Sequence, residues 1–391
     1  MLQAIYWELK KIGKNKFIWG LFVFFLIADA YKMTHTYFGI NDTTKGEQAI
    51  YHKLAGNITE EKVLFLIDNV EKYSQLIESG EYSTAGNQKG TYTGYIMGDY
   101  NIFSSCYENM KKAYDYKQYA AKICEKAKQN AQLYESRNVS YELKKNNMIY
   151  HNFLGREIKN YYNCKVSNAL FSYDFSTIFM ILLVITVVGS VLVLEQDHHM
   201  YEILETVSFG NRRRTQAKLW SIAIFCAIVV GIFIFWDCCV LQMQYGLIDN
   251  WKNPVYSMTG YENSPLRCSI IAYLGIWMMQ RYLVVLFFAL ITFVMYDCCL
   301  NGVRTVAFSI AIYVIFVVIC IQTNWFINPI SLCNGQELIK KTTFVNCFET
   351  PFYDYEIVTT LTAAGVLLLS VLILYIGTKQ NVSTRVKISD I

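Results

Sequence analysis

The residues best placed to act together lie between positions 195 and 218, where opposite charges are sorted along the chain rather than mixed. Glu195, Asp197, Glu202 and Glu205 form an acidic front half. Arg212, Arg213, Arg214 and Lys218 form a basic back half, with Gly210-Asn211 as the break between them. Ile203, Leu204, Val207 and Phe209 supply the apolar contacts of a short helix. Acid at a helix start, a glycine stop and cations at the entry of the next helix all suit the helix dipole. The chemistry on offer is docking, because none of these side chains is paired as nucleophile and base. The same charges also fit an ordinary cytoplasmic loop with a solvated face.

Other reactive constellations are missing. No G-x-x-x-x-G-K-[ST] occurs, so this chain has no loop to cradle ATP phosphates. H-E-x-x-H, G-x-S-x-G and a G-x-G-x-x-G between strand and helix are absent too. His198-His199 is the one histidine pair, and neighbours on a helix point about 100° apart, a poor metal geometry. Neither catalytic residues, nor a cofactor site, nor a metal site is therefore expected. The 12 cysteines are too sparse for a disulfide scaffold, and Cys226 and Cys320 sit in apolar runs as small hydrophobes. A Cys333–Cys347 bridge would follow if the loop they share lies outside the cell.

The elements that carry these residues are apolar. Of 391 residues, 54% are hydrophobic and 17% charged, against roughly 45–50% and about 25% for soluble domains. Four prolines exclude a proline-rich fibre, and a net charge of +4 spread thinly gives no stripe for nucleic acid. Runs near the roughly 20 residues that cross a bilayer appear at Phe17–Ala30 (extended by Tyr31–Phe38), Phe175–Leu194, Leu219–Leu241, Arg281–Tyr296, Val303–Gln322 and Ile357–Ile376. Ile270–Met279 is expected to be interfacial or re-entrant, which leaves Arg281 at the water boundary with its stem snorkelling. Asp29, Asp174, Asp237 and Asp297 fall at predicted span ends, so no buried ionisable relay of a proton-coupled carrier is expected.

Lysine and arginine orient the spans. Lys10, Lys11, Lys14, Lys16, Arg212 to Arg214, Lys218, Arg304, Lys379, Arg385 and Lys387 share one side. The other side's short loops hold Lys252, Arg267, Lys340 and Lys341, so both termini are placed in the cytoplasm. Lys10 to Lys16 followed by an apolar core and Ala28-Asp29-Ala30 also resembles a signal peptide. Leu2, Ile5, Leu9 and Ile12 at helical spacing argue instead for an amphipathic helix feeding an uncleaved span.

The expected architecture is an all-α integral membrane protein with six transmembrane helices and a large helical extracellular insertion between the first two. Residues 1–33 hold the amphipathic lead-in and first span, and residues 34–172 the extracellular helical domain. Residues 173–241 hold spans two and three with the charged loop, 242–322 spans four and five with their outer segments, and 323–391 the last outer loop, span and tail. In the insertion, Asn57-Ile58-Thr59-Glu60-Glu61 reads as a helix start, and Val63, Leu66, Ile67, Val70 and Tyr73 keep helical spacing. Further helices are expected over Tyr107–Tyr134 and Tyr141–Asn163, after a glycine-containing break from Gly80 to Gly98. The Lys/Asn/Tyr/Ile-rich composition suggests a bacterial cell membrane.

The charged loop resembles the coupling region of ABC-2 type permeases, the membrane subunits of ATP-driven exporters. Glu195, Glu202, Ile203-Leu204, Arg212 or Arg213, and Lys218 fall on that family's pattern of acid, helix, break and basic entry to the third span. Tyr6-Trp7-Glu8-Leu9-Lys10-Lys11-Ile12 is similar to its amphipathic lead-in, and the long outer segment resembles Gram-positive members linked to peptide-antibiotic export. The resemblance implies no enzymatic activity here, ATP and Mg held by a separate ATP-binding cassette subunit, and a second permease subunit, identical or related. It casts Tyr201, Leu204 and Phe209 as buried anchors in a groove on the ATPase, with Glu195, Glu202, Glu205, Arg212, Arg213 and Lys218 setting orientation. The implied substrate is amphipathic or hydrophobic, such as an antimicrobial peptide. The alternative is a sensor or immunity protein whose extracellular helices bind a ligand without transport.

Overall fold

A computed structural model describes residues 1–37, 44–79, 91–197, 211–245, 250–299, 301–323, 328–333 and 335–389. Six of its helices are long and apolar enough to cross a membrane: Lys16–Thr36, Lys165–Leu192, Arg213–Gln244, Ile270–Cys299, Gly302–Gln322 and Asp354–Ile376. Helix α1 (Leu2–Lys14) precedes them. The first span is α2 (Lys16–Tyr37). The insertion holds α3 (Thr44–Leu54), β1 (Gly56–Asn57), α4 (Glu60–Glu78), α5 (Ile96–Ser136), α6 (Ser140–Phe153) and β2 (Asn160–Tyr161). The second span is two helices, α7 (Lys165–Ser172) and α8 (Phe175–Asp197). Spans three to five are α9 (Asn211–Tyr245), α10 (Ile270–Cys299) and α11 (Gly302–Thr323). A short α12 (Gly335–Lys340), the hairpin β3–β4 (Phe344–Cys347 and Thr350–Tyr353) and the last span α13 (Asp354–Ser389) complete the chain.

The second span is the most buried of the six, and the first, fifth and sixth are the least. That ranking follows from the packing. The fourth span touches the second, third, fifth and sixth, while the first lies against the second and third. Phe22 meets Phe233 edge-on at 5.7 Å, and Trp236 Nε1 donates to the Leu26 carbonyl at 3.0 Å. The second and fifth spans lie in close contact at Gly189, where an added Cβ would lie 2.5 Å from Val306 Cγ2.

The insertion has its own core. Leu66 and Tyr73 of α4 pack on Ile102, Phe103 and Cys106 of α5, and Tyr73 stacks on Phe103 at 5.6 Å. The buried Asp99 carboxylate accepts from Tyr92 N, Thr93 N and Thr93 Oγ1, which fixes the chain entering α5. Helix α6 stops at Phe153, ten residues before the end expected for it at Asn163. Gly155 takes φ +71°, a left-handed turn open to glycine, and the chain then runs extended so that Tyr161 pairs with Gly56.

Tyrosines and arginines seat the insertion on the bundle. Tyr116 Oη donates to the Glu262 carbonyl at 2.8 Å, and the Tyr116 ring stacks on Tyr256 at 5.3 Å. Arg156, 2% exposed, donates to the Ser264 carbonyl at 2.9 Å and lies over the Tyr256 ring. Asn152 Nδ2 donates to Tyr353 Oη at 3.2 Å. The connections between spans one and two, three and four, and five and six therefore meet on one side of the bundle.

Candidate functional site

On the opposite side lie the segments flanking residues 198–210. Tyr201, Glu202, Leu204, Glu205 and Phe209 fall outside the described residues. Glu195 sits near the end of α8 and Arg212 near the start of α9, with no description of their side chains; Arg213 and Lys218 occupy the first turns of α9. What the structure does place here is α1, against both flanks at once. Glu8 and Ile12 of α1 line a shallow recess with Val188, Val191 and Leu192 of the second span and Lys218, Ser221 and Ile222 of the third. Ser221 Oγ donates to the Ala217 carbonyl at 2.7 Å and reaches the Ile5 carbonyl at 3.4 Å. Lys11 pairs with Glu8 at 3.0 Å, while Leu2, Tyr6 and Trp7 stay exposed. An amphipathic helix with apolar residues outward and cations alongside is built to lie in a membrane surface.

The second cluster lies nearer the insertion and is built on a broken helix. Tyr173 is extended (φ −89°, ψ 111°) between α7 and α8, so its carbonyl leaves the helical ladder. Arg281 of the fourth span, fully buried, donates to that carbonyl through Nη2 and to Ser176 Oγ through Nη1 at 2.7 Å. Asp174 Oδ1 lies 3.7 Å from Nη2, and the Trp277 ring covers the guanidinium at 3.6 Å. From the first span, buried Asp29 accepts from Tyr173 Oη at 2.8 Å. From the third, Asp237, 1% exposed, faces Asp29 and Ser176. One guanidinium thus sits among three carboxyls drawn from three different spans. Neither Asp237 oxygen has a donor in hydrogen-bonding geometry, and Asp29 Oδ2 also lacks one.

This cluster corrects three expectations. Residues 270–299 form one unbroken helix, not an interfacial piece followed by a span. Arg281 lies in the bundle, not at the water boundary, because the Tyr173 carbonyl, Ser176 and the Trp277 face replace its water. Asp29 and Asp237 are likewise closed off from water, so the spans do carry buried ionisable groups. The readable signal was Arg281 itself: an intramembrane cation needs a partner. Asp29 and Asp237 were the acids available within spans, but a break at Tyr173 has no glycine or proline to announce it.

The cysteines proposed for a bridge are both free thiols, Cys333 buried beside Arg281 and Cys347 half-buried in the β3–β4 hairpin. Among the described residues, no three His, Cys, Asp or Glu side chains gather as a metal site. No family model, curated protein or solved structure matches the chain.

Proposed function

We propose that this chain is the membrane-spanning half of an ATP-binding cassette exporter in a bacterial cell membrane, with both termini cytoplasmic and the insertion outside. Its substrate is amphipathic or hydrophobic, such as an antimicrobial peptide. ATP and Mg belong to a separate ATPase subunit, and a second permease half, identical or related, completes the pathway. The observation that carries this reading is α1 packed across the ends of both spans that flank residues 198–210. A chain without a nucleotide site moves only if a partner pulls on it, and the pull must pass from a short docking segment to whole helices. With α1 seated on Val188 to Leu192 and on Lys218 to Ile222, a displacement of that segment moves spans two and three and the lead-in as one body. The buried Arg281 cluster supports the reading from the other end, since it ties spans one, two and four where they approach the insertion, with Asp237 of span three alongside. The exposed apolar faces of spans five and six, including Val314, Val318, Leu367 and Val371, suit lipid or the second half.

The test is purification from native membranes in mild detergent, with cross-linking at position 202. A stoichiometric soluble protein bearing a Walker motif is expected, and its absence after cross-linking sinks the proposal. The second reading, a sensor or immunity protein that binds a ligand without transport, is favoured by the insertion's separate core and its polar seating on the bundle. It requires ligand binding with no ATPase.

A further inference from the structure

A cavity of about 180 Å³ opens at the foot of the insertion, where the chain leaving β2 passes over the start of α7. Five asparagines line it. Asn109 is on α5, Asn160 and Asn163 belong to β2 and its exit, Asn168 is on α7, and Asn253 lies in the connection between spans three and four. No aspartate or glutamate joins them, and the one cation, Lys165, stands over the Tyr51 ring at 5.9 Å. Amides, not charges, are what this lining has to spare.

Among the described residues, the side chains of Asn160 and Asn253 make no hydrogen bond, although Asn253 is only 8% exposed, and neither amide is closed to water. Asn109 and Asn163 accept through Oδ1, from Thr259 Oγ1 at 3.5 Å and Lys165 N at 2.9 Å, and each keeps an NH2. Asn168 adds nothing, because Nδ2 donates to the Thr259 carbonyl at 3.3 Å and Oδ1 is closed to solvent. Tyr51 and Tyr161 are buried, but Tyr162 is half-buried, and its ring neither packs on another described ring nor carries a cation. A hydroxyl donates and accepts, so it satisfies either end of an amide, whereas a carboxylate only accepts and an ammonium only donates. One peptide unit brings a single N–H and a single C=O and leaves most of these amides unmet. Several hydroxyls on one ring meet them together, and the C–H face of a sugar ring suits the negative face of a tyrosine. The volume is slightly above the 150 Å³ or so that takes a benzene-sized guest, room for one six-membered ring.

We propose that this cavity binds one neutral pyranose, its hydroxyls toward the amides of Asn160 and Asn253 and the NH2 groups of Asn109 and Asn163, its ring against Tyr162. Asn109 and Asn160 belong to the insertion and Asn253 to a connection of the bundle, so the sugar bridges the two. Binding needs no nucleotide, so the proposal stands or falls independently of the exporter reading.

The test uses the purified full chain in lipid nanodiscs, titrated calorimetrically with glucose, galactose, mannose and N-acetylglucosamine and with their methyl glycosides. Glucuronic acid and N-acetyl-alanine methylamide serve as the charged and peptide probes. At least one neutral sugar is expected to saturate with a Kd of about 10 mM or tighter. Binding of its methyl glycoside as well marks the end of a glycan as the source, and binding of the free form alone marks a soluble sugar. Tyr162→Leu and Asn160→Leu should each weaken that sugar about tenfold or more, while Tyr162→Phe, which keeps the ring face, should bind as the parent does. No saturation by any neutral sugar up to about 50 mM, tighter binding of either the acid or the peptide probe, or sugar affinity unchanged in both leucine variants would each overturn it.

Discussion

Arg281 Nη1 donates to Ser176 Oγ at 2.7 Å, joining the fourth span to the second where neither residue meets solvent. The bond is one of several that hold a charge closed off from solvent, so its removal costs more than one hydrogen bond. Arg281→Met leaves Asp174, Asp29 and Asp237 without their buried cation. Breaking one partner of a buried pair costs about 3–5 kcal/mol. The variant should unfold earlier in a detergent-based denaturation series, and Asp237→Asn on that background should recover part of the loss. Arg281→Lys keeps the charge but loses the planar contact with Trp277 and the two-nitrogen reach to Tyr173 and Ser176, so it should fall between. Full stability in Arg281→Met would mean that the cluster is not cohesive.

Gly189 tests the contact between spans two and five. A methyl there meets Val306 Cγ2 at 2.5 Å, and a valine on a helix has almost no alternative χ1 to adopt. Gly189→Ala should destabilise by about 1–3 kcal/mol as overpacking, and Val306→Ala should rescue it. A neutral Gly189→Ala in the same denaturation series would show that the two helices separate freely.

The positions of the spans were legible because continuous apolar runs cannot be buried any other way at this length. Phe175–Leu194 and Val303–Gln322 reappear as α8 and α11 with ends shifted by a few residues. The start of α4 at Glu60 follows the Thr59 and Glu60-Glu61 signal. Arg281 was misplaced because a sequence shows the cost of a buried charge but not the carbonyl that offsets it. That carbonyl is freed by a break at Tyr173, far away in the chain. The seating of the insertion was hidden for a related reason: Tyr116 and Arg156 bond to backbone carbonyls of residues 262 and 264, which carry no side-chain signature. The expected docking residues Tyr201 to Phe209 lie outside the described residues, so their legibility rests on the charge sorting alone.

Burial pushes the Tyr116 hydroxyl up to about 12, against the opposing pull of Arg156. The unfolded tyrosine loses its proton near pH 10, while the folded one keeps it. Between those values the unfolded chain binds fewer protons, so the stability contributed by neutral Tyr116 is whole below pH 10 and drains away as pH rises through about 12. The seating of the insertion should therefore loosen at alkaline pH, seen as faster proteolysis of α5 and α6. Tyr116→Phe loses the bond to Glu262 but should flatten that pH dependence. An equally steep profile in the variant would move the cause elsewhere.

Burial also pushes the Cys333 thiol up to about 12. At pH 8 its thiolate fraction is then about one part in ten thousand, and alkylation needs the thiolate. Iodoacetamide at pH 8 should modify the half-buried Cys347 in the folded chain and reach Cys333 only after unfolding. Peptide mass analysis without reductant distinguishes the alternatives: a Cys333–Cys347 peptide pair resistant to alkylation until reduced would establish the bridge instead.

The exporter proposal requires export to depend on residues 202 and 204 without folding depending on them. If Leu204 is a buried anchor and Glu202 orients it, then Glu202→Ala with Leu204→Lys removes one apolar contact and places an ammonium in an apolar groove. Either defect costs several kcal/mol at an interface centre, enough to lower ATPase association by about a hundredfold or more. Both residues lie outside the six apolar helices, so expression and detergent extraction should match the parent. Ile12→Asp on α1 separates transmission from docking. Ile12 is buried beside Val188 and Ser221, so its loss should leave the ATPase bound while weakening the coupling of hydrolysis to substrate movement. Substrate-stimulated ATPase activity in reconstituted vesicles measures both. Unchanged stimulated hydrolysis and export in the Glu202/Leu204 variant would remove the docking role of this segment, and loss of ATPase binding in Ile12→Asp would place α1 in the docking surface itself.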